Sequence, residues 1–260
     1  MDPLIDSHCH LTFDGLREQV DAVLQRAADV GVVEYVTIAT DLADAERALR
    51  LASDRPGVHV AVGIHPHEAG KVLPGWDEAL HEIVLRNDVV AVGEMGLDYH
   101  YDFADRAEQA RVFRRQLELA ATVNKPVVIH CREAQGDALS ILAESDSPRD
   151  VVFHCFTGTI PEAKEILDRG YWISLTGVVT FKKSGELREI ARIIPAERLM
   201  VETDAPYLSP EPVRGVRPNE PAHVVHTAAR IAQEREMSLS DLSALTVENT
   251  RRFFDLPPVA

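Results

Sequence analysis

The strongest constraint on the fold of this chain is a regular alternation between short β-branched runs and longer amphipathic stretches. The runs predict strands at residues 4–8, 34–39, 58–63, 89–94, 126–130, 150–154, 171–174 and 199–202. Between them, segments such as LREQVDAVLQRAADV and RAEQARVFRRQLELAATV carry apolar residues at helical spacing. Eight strands that alternate with helices predict a parallel sheet, because each parallel connection needs a crossover.

The length of the chain favours closure of this sheet. At 260 residues, a TIM-type (β/α)8 barrel is the economical solution, so we expect one α/β domain over residues 1–260. An open doubly wound sheet is the alternative, but neither G-x-G-x-x-G nor a Walker lysine motif follows the first strand. Two further helices are predicted after the last strand. One covers residues 222–234, and the other starts near Ser238, which forms a capping-box pattern with Asp241.

Chemically active side chains occur where the predicted strands end. In a barrel of this kind, functional groups collect at the carboxyl ends of the strands. The candidate metal ligands are His8, His10, Glu94, His130, His154 and Asp204. They fall at the ends of predicted strands one, four, five, six and eight. The hydrophobic periodicity and the positions of the ligands therefore both indicate a site at the edge of the barrel where the strands end.

The types of these side chains indicate divalent metal. His8 and His10 form an H-x-H pair, and residues two apart on a strand share one face. Imidazole and carboxylate groups suit ions such as Zn or Mn, and Mg is a further candidate. Four histidines and two carboxylates exceed the three protein ligands of one catalytic zinc. The set therefore predicts two divalent ions per chain.

Both carboxylates also suit a catalytic role. Glu94 can bridge the two ions, which would share a bound water and lower its pKa toward neutrality, so that a hydroxide attacks the substrate. Asp204 can ligate one ion and take a proton from that water or return it to the leaving group. The predicted chemistry is hydrolysis without a covalent protein intermediate. For any one of these residues alone, a structural role such as a helix cap or turn is the alternative.

Five other residues are candidates for contact with substrate. His65 and His67 follow the third strand and can touch a phosphate or support the metal ligands, with an ordinary loop as the alternative. Arg132 suits an anionic oxygen, with a surface salt bridge as the alternative. Arg214 lies in the proline-rich segment 205–221, which we expect to shape the substrate pocket. Tyr99 is a candidate for stacking on a base, although an aromatic content of 6% argues against a long stacking platform.

Composition limits the class of partner. A net charge of −15 argues against tight, sequence-indifferent binding of duplex nucleic acid, but bound cations and a few basic residues still permit a nucleic-acid substrate.

Each of the three cysteines follows a candidate histidine. We expect them to be small buried hydrophobic residues rather than parts of a disulfide framework. We find no apolar run of membrane-spanning length and no signal-peptide pattern. We therefore expect a cytoplasmic protein without membrane contact or a stable protein partner.

Six motifs follow one another along the chain: DSHCHL, GIHPH, GEMGLDY, NKPVVIHCREA, FHCFTG and VETDAPYL. In this order and spacing they resemble the TatD family of metal-dependent deoxyribonucleases, and the resemblance covers essentially the whole chain. It implies a TIM-type barrel with two divalent ions that hydrolyses phosphodiester bonds, often as a 3′→5′ exonuclease. The implied substrate is single-stranded DNA or the ends of nucleic acids.

The resemblance also implies how the ligands divide between the ions. One ion would be served by His8, His10, Asp204 and the bridging Glu94, and the other by Glu94, His130 and His154. The chain shows no departure from this ligand pattern, including the H-x-H pair that some members lack.

Two other functions remain open from the sequence. A hydrolase of the wider amidohydrolase type would share the barrel and the H-x-H motif but cleave a C–N or ester bond, including the ester of an aminoacyl-tRNA. Such enzymes often bridge two metals through a modified lysine after strand four, where this chain has Glu94. A non-catalytic docking protein is the third possibility, but an inactive descendant would be expected to have lost ligands.

Overall fold

A computed structural model describes residues 2–101, 103–145 and 148–256. Its strands form one eight-stranded sheet in sequential order: β1 Leu4–Cys9, β2 Val32–Ala39, β3 Val58–Val62, β4 Val89–Asp98, β5 Val127–Arg132, β6 Val151–Phe153, β7 Trp172–Leu175 and β8 Leu199–Val201. The pairs β1–β2, β3–β4, β4–β5, β5–β6 and β7–β8 are parallel. The predicted (β/α)8 fold class is confirmed.

The helices follow the predicted amphipathic segments. They are α1 Val20–Asp29, α2 Leu42–Ser53, α3 Trp76–Val84, α4 Arg106–Val123, α5 Gln135–Glu144, α6 Ile160–Asp168, α7 Gly185–Ile193, α8 Val224–Glu234 and α9 Leu239–Phe254. Ser238 caps α9 as predicted, because its hydroxyl accepts the Asp241 N–H at 3.0 Å. Within the described ranges, we find no helix with the length and apolar character needed to cross a bilayer.

Contacts divide the chain into two compact units, which we describe separately. The first unit comprises Met1–Thr37 and Cys155–Ala260 and contains β1, β7 and β8. In it, the end of β1 pairs with the segment after β8: the Asp204 N–H donates to the His8 carbonyl at 2.9 Å, and the His10 N–H donates to the Ala205 carbonyl at 2.7 Å. The first and last strands are therefore neighbours, as a barrel requires. Helix α9 packs on both.

The second unit is Ile38–His154, and its longest strand differs from the prediction. Sequence periodicity ends β4 at Glu94, but the strand continues to Asp98 because residues 95–98 pair with residues 129–132 of β5. Glu94 therefore lies inside a strand and not at its end. His130 likewise precedes the end of β5 by two residues.

Gly96 makes this extension possible. Its φ is 140°, which L side chains rarely adopt, and a Cβ at this position would lie 2.0 Å from the carbonyl oxygen of His130. Only glycine lets the two strands approach this closely. The register between β4 and β5 therefore depends on the absence of a side chain at residue 96.

We predict that Gly96→Ala destabilises the protein by about 2 kcal/mol or more, because the backbone is strained and the added methyl group meets β5. Thermal unfolding followed by circular dichroism should show a melting temperature lowered by roughly 5 °C or more. Gly136→Ala is the matched control, since a Cβ there has no atom within 4 Å and the residue lies in α5. Equal melting temperatures for the two variants would contradict the prediction.

Candidate metal centre

Three predicted ligands of the first unit lie side by side. The Nε2 atoms of His8 and His10 are 3.4 Å apart, and Oδ1 of Asp204 lies 3.8 Å and 3.4 Å from them, respectively. Both histidines are buried, whereas 14% of the Asp204 side chain is exposed. One ligand atom from each of these three residues thus lies within 4.8 Å of the other two, as the ligands of a single cation do.

Backbone pairing and one buried carboxylate bring these three residues together. Asp6 of β1 accepts hydrogen bonds from the Thr203 N–H at 2.9 Å and the Thr203 hydroxyl at 2.5 Å. Burial raises the pKa of Asp6 to about 8, although the Thr203 bonds oppose this shift. The contact joins β1 to the segment that carries Asp204. Asp204 itself has φ of 55°, a conformation that aspartate tolerates better than most residues.

The second unit contains another convergent group. Oε1 of Glu94 lies 2.7 Å from Nδ1 of His130 and 2.6 Å from Nε2 of His154. Glu94 and His154 are buried. Burial opposes ionisation of Glu94, but His154, His65 and His130 outweigh it and hold the pKa of the carboxyl well below its ordinary value. Glu94 is therefore a carboxylate ready to ligate a cation.

His65 and His67 belong to the same surroundings. Nε2 of His65 lies 3.3 Å from Nδ1 of His130 and 3.5 Å from Oε1 of Glu94. Burial lowers the pKa of His65 to about 4, so its ring is neutral and its lone pair is available near neutral pH. His65, His67 and His130 also offer nitrogen atoms within 4.8 Å of one another. The structure thus places both predicted substrate residues beside the ligands of this unit.

Asp98 is an important residue that the sequence patterns missed. Its Oδ2 lies 2.9 Å from Nε2 of both His67 and His130. Burial opposes its ionisation, but the bonds to His130 and His67 outweigh it and lower the pKa of Asp98. A carboxylate on the far nitrogen of a histidine ligand fixes its tautomer and ring orientation. No pattern in the sequence pointed to Asp98, because the predicted strand ends at Glu94 and residue 98 falls in the segment after it.

The other predicted contact residues have structural partners. Arg132 is partly exposed at the end of β5, and its carbonyl accepts the Tyr99 N–H at 2.9 Å. The Arg106 guanidinium lies 4.0 Å above the Tyr99 ring, and the Tyr99 hydroxyl donates to Asp137, so this ring is already engaged within the protein. In the first unit, the guanidinium of Arg214 lies 3.7 Å over the Phe181 ring.

The cysteines mostly match the expectation of small buried residues outside disulfides. None of the three forms a disulfide, and Cys9 and Cys155 are buried while Cys131 is partly exposed. The Cys9 thiol donates to the Val36 carbonyl, and the Cys155 sulfur lies 3.6 Å from the Thr176 hydroxyl.

The donors of both units fit divalent metal. Each unit offers at least one group of three imidazole nitrogen and carboxylate oxygen atoms that lie within 4.8 Å of one another, with most of the side chains shielded from water. Such mixed sets suit borderline divalent ions. We name His8, His10 and Asp204 the first ligand group, and Glu94, His130 and His154 the second ligand group. A (β/α)8 barrel with such groups at its strand ends defines the class of metal-dependent barrel hydrolases.

Comparison with known proteins gives the family. The chain belongs to the TatD-related DNase family, whose model matches residues 5–255. Membership confirms the predicted family and the predicted enzyme class, a metal-dependent hydrolase of ester bonds.

Individual relatives match over nearly their full length. The 3′-5′ ssDNA/RNA exonuclease TatD of Shigella flexneri is 38% identical over 97% of this chain and 99% of its own. The uncharacterized metal-dependent hydrolase YabD of Bacillus subtilis is 36% identical over 96% of this chain and 98% of its own. Among solved structures, the TatD homolog YjjV of Escherichia coli superimposes with a TM-score of 0.93 at 31% identity, covering 98% of both chains.

We predict that Asp98→Asn weakens metal binding in the second unit on the order of 10- to 100-fold, because the amide NH2 group then replaces Oδ2 and cannot accept a hydrogen bond from His67 or His130. Titration of chelator-stripped protein against a chromophoric chelator measures this loss. The fold should persist, since the amide oxygen can still accept the His100 and Tyr101 N–H groups that bind Oδ1 of Asp98.

Glu133→Gln is the matched control for Asp98→Asn. It is also a carboxylate-to-amide change, but Glu133 is exposed and binds His100, not the ligand group. Unchanged metal affinity in a folded Asp98→Asn protein would show that Asp98 only supports the loop.

Proposed function

We propose that this protein is a deoxyribonuclease that removes nucleotides from single-stranded ends in the 3′→5′ direction and uses two divalent ions. The observation that carries the proposal is the presence of two ligand groups of nuclease-compatible chemistry, one in each unit. The name of the Shigella relative, a 3′-5′ exonuclease of single-stranded DNA and RNA, supports the substrate and the direction.

The proposal assigns one ion to each ligand group. His8, His10 and Asp204 hold the first ion, and Glu94, His130 and His154 hold the second. The bridging role of Glu94 is part of the proposal and rests on the family resemblance. When bound, such ions polarise the phosphate and lower the pKa of water. Zn and Mn suit the nitrogen-rich donors, and Mg is the third candidate.

The two carboxylates differ in a way that divides their roles. Glu94 is held by imidazoles and only 2% of its side chain is exposed, so it serves as a fixed ligand. The side chain of Asp204 is 14% exposed and contacts His8 and His10 through one oxygen. Partial access to solvent suits a group that takes a proton from water and returns one to the leaving oxygen. Asp204 is therefore the proposed general base and acid.

Substrate contacts and location complete the proposal. His65 and His67 approach the phosphate near the second ligand group, while Arg132 and Arg214 neutralise further phosphate charge. A net charge of −15 favours short or single-stranded ends over long duplex, whose binding depends on many basic contacts. We further propose that the enzyme acts in the cytoplasm without a stable protein partner.

The test is hydrolysis of a 5′-labelled single-stranded oligonucleotide by chelator-stripped protein after addition of Mg, Mn or Zn. We predict a metal-dependent ladder of 5′-labelled products, because 3′→5′ digestion leaves the label on each shortened strand. Asp204→Asn should lower the rate by roughly 10²-fold or more, the contribution of one general base. Asparagine tolerates the positive φ at residue 204, so the variant should fold.

Asp29→Asn is the control for this variant, because Asp29 is exposed on α1 and binds only Gln25 among its described partners. Its rate should equal that of the wild-type protein. Absence of cleavage with every metal, while mass spectrometry shows two ions per chain, would redirect the assignment to an amide or carboxylic ester substrate.

A further inference from the structure

Exposed aromatic side chains occur in few places in this protein. Of its 15 Phe, Trp and Tyr residues, all of which are described, only Tyr101, Phe103 and Tyr207 are exposed. Tyr207 lies edge-on to His10 of the first ligand group, with ring centroids 6.5 Å apart. Tyr101 and Phe103 both contact His67 in the second unit. Every exposed aromatic ring thus lies against a histidine of a candidate metal cluster.

Tyr101 and Phe103 form an ordered pair. Their rings are nearly parallel, at 18°, with centroids 5.7 Å apart, and the residues are 49% and 65% exposed. The edge of the pair meets His67, whose centroid lies 4.8 Å from that of Phe103. His67 in turn lies 5.9 Å from His130 of the second ligand group. The pair therefore stands one side chain away from a candidate metal ligand.

Hydrogen bonds to Asp98 and Gln109 hold residues on both sides of the pair. Oδ1 of Asp98 accepts the N–H groups of His100 at 3.0 Å and Tyr101 at 2.9 Å. The buried amide of Gln109 accepts the Asp98 N–H at 2.8 Å and donates to the carbonyl groups of Asp98 and Ala104. Asp98 and Ala104, which flank the pair in sequence, are thus both hydrogen-bonded to Gln109 of α4.

We propose that Tyr101 and Phe103 form a base-stacking subsite that holds a nucleobase of the single-stranded substrate beside the second ligand group. The inference rests on the proposed function and adds the residues that bind the base. Aromatic rings stack on any base because every base has a π-face, so the subsite tolerates sequence variation. Bases paired inside a duplex cannot reach such a pair, which adds a reason for single-stranded preference.

The surroundings favour a base over an apolar protein segment. The pair is small and flanked by polar groups, including the exposed ion pair of His100 and Glu133 at 2.7 Å. A protein interface needs a broader apolar area than two rings provide. A nucleotide has a flat base at one end and an anionic phosphate at the other. It therefore suits an aromatic pair that lies beside a ligand group able to hold a cation.

Fluorescence anisotropy of a labelled single-stranded oligonucleotide, measured with chelator present so that no cleavage occurs, tests the proposal. We predict that the double variant Tyr101→Ala/Phe103→Ala binds on the order of tenfold or more weakly than the wild-type protein. The double variant Tyr101→Leu/Phe103→Leu should bind equally weakly, because leucine keeps apolar surface but has no ring. The exchange Tyr101→Phe/Phe103→Tyr should retain wild-type affinity.

An oligonucleotide with abasic sites at its 3′ end provides the second arm. It should bind the wild-type protein more weakly than the intact strand, while the alanine variant should not distinguish the two. Leu73→Ala, at a 76% exposed apolar residue of the same unit, is the control and should leave binding unchanged. Unchanged melting temperatures exclude unfolding as the cause.

The results separate the two proposals. Equal affinity of the wild-type and alanine proteins, or full affinity of the leucine variant, would overturn the stacking subsite even if the enzyme cleaves DNA. Failure of the proposed function would instead appear as absence of cleavage by the wild-type protein with every metal, whatever the dissociation constants.

Discussion

The carboxylate of Asp98 is the group on which the second unit depends most. One oxygen binds His67 and His130, and the other accepts a hydrogen bond from the backbone N–H of Tyr101 in the following loop. With these partners it remains ionised despite its burial, because each bond favours the charged form. One side chain thereby orients a candidate metal ligand and fixes the loop beside it. A displacement of this carboxylate would disturb both at once, so the proposed metal binding and the proposed strand binding would be coupled through Asp98.

In the first unit, different contacts hold the candidate metal ligands in place. Its ligand group depends on the pairing of β1 with the segment after β8, and Asp6 and Thr203 secure that pairing inside the protein. Glu202 joins the same segment to its other neighbours, since it accepts the Cys155 N–H and the Ser174 hydroxyl, each at 2.6 Å. Buried carboxyl groups thus hold the segments that carry the candidate ligands in both units, and each of these ligands lies in a strand or within three residues of the end of one.

Much of the fold and of the candidate metal site could be predicted from the sequence, because the periods of strands and helices are local properties. The period of two identified the strands, and it also placed His8 and His10 on one face. The extension of β4 to Asp98 could not be read in this way. Gly96 interrupts the hydrophobic pattern, and the strand exists there because β5 pairs with it. The contact of Arg214 with Phe181 was equally hidden, since it joins two loops that are distant in sequence and whose conformations have no periodic signal.

The charge of the protein explains why stacking matters for a nucleic-acid substrate. With 42 acidic and 27 basic residues, the surface offers few sites that can release counterions from phosphates. Affinity for a strand must then come largely from contacts that do not depend on positive surface charge. Metal ions at the ligand groups would attract the scissile phosphate, and the rings of Tyr101 and Phe103 would hold a base. A strand held at one phosphate and one base would need few of the basic contacts on which binding of a long duplex depends, which agrees with the proposed action on single-stranded ends.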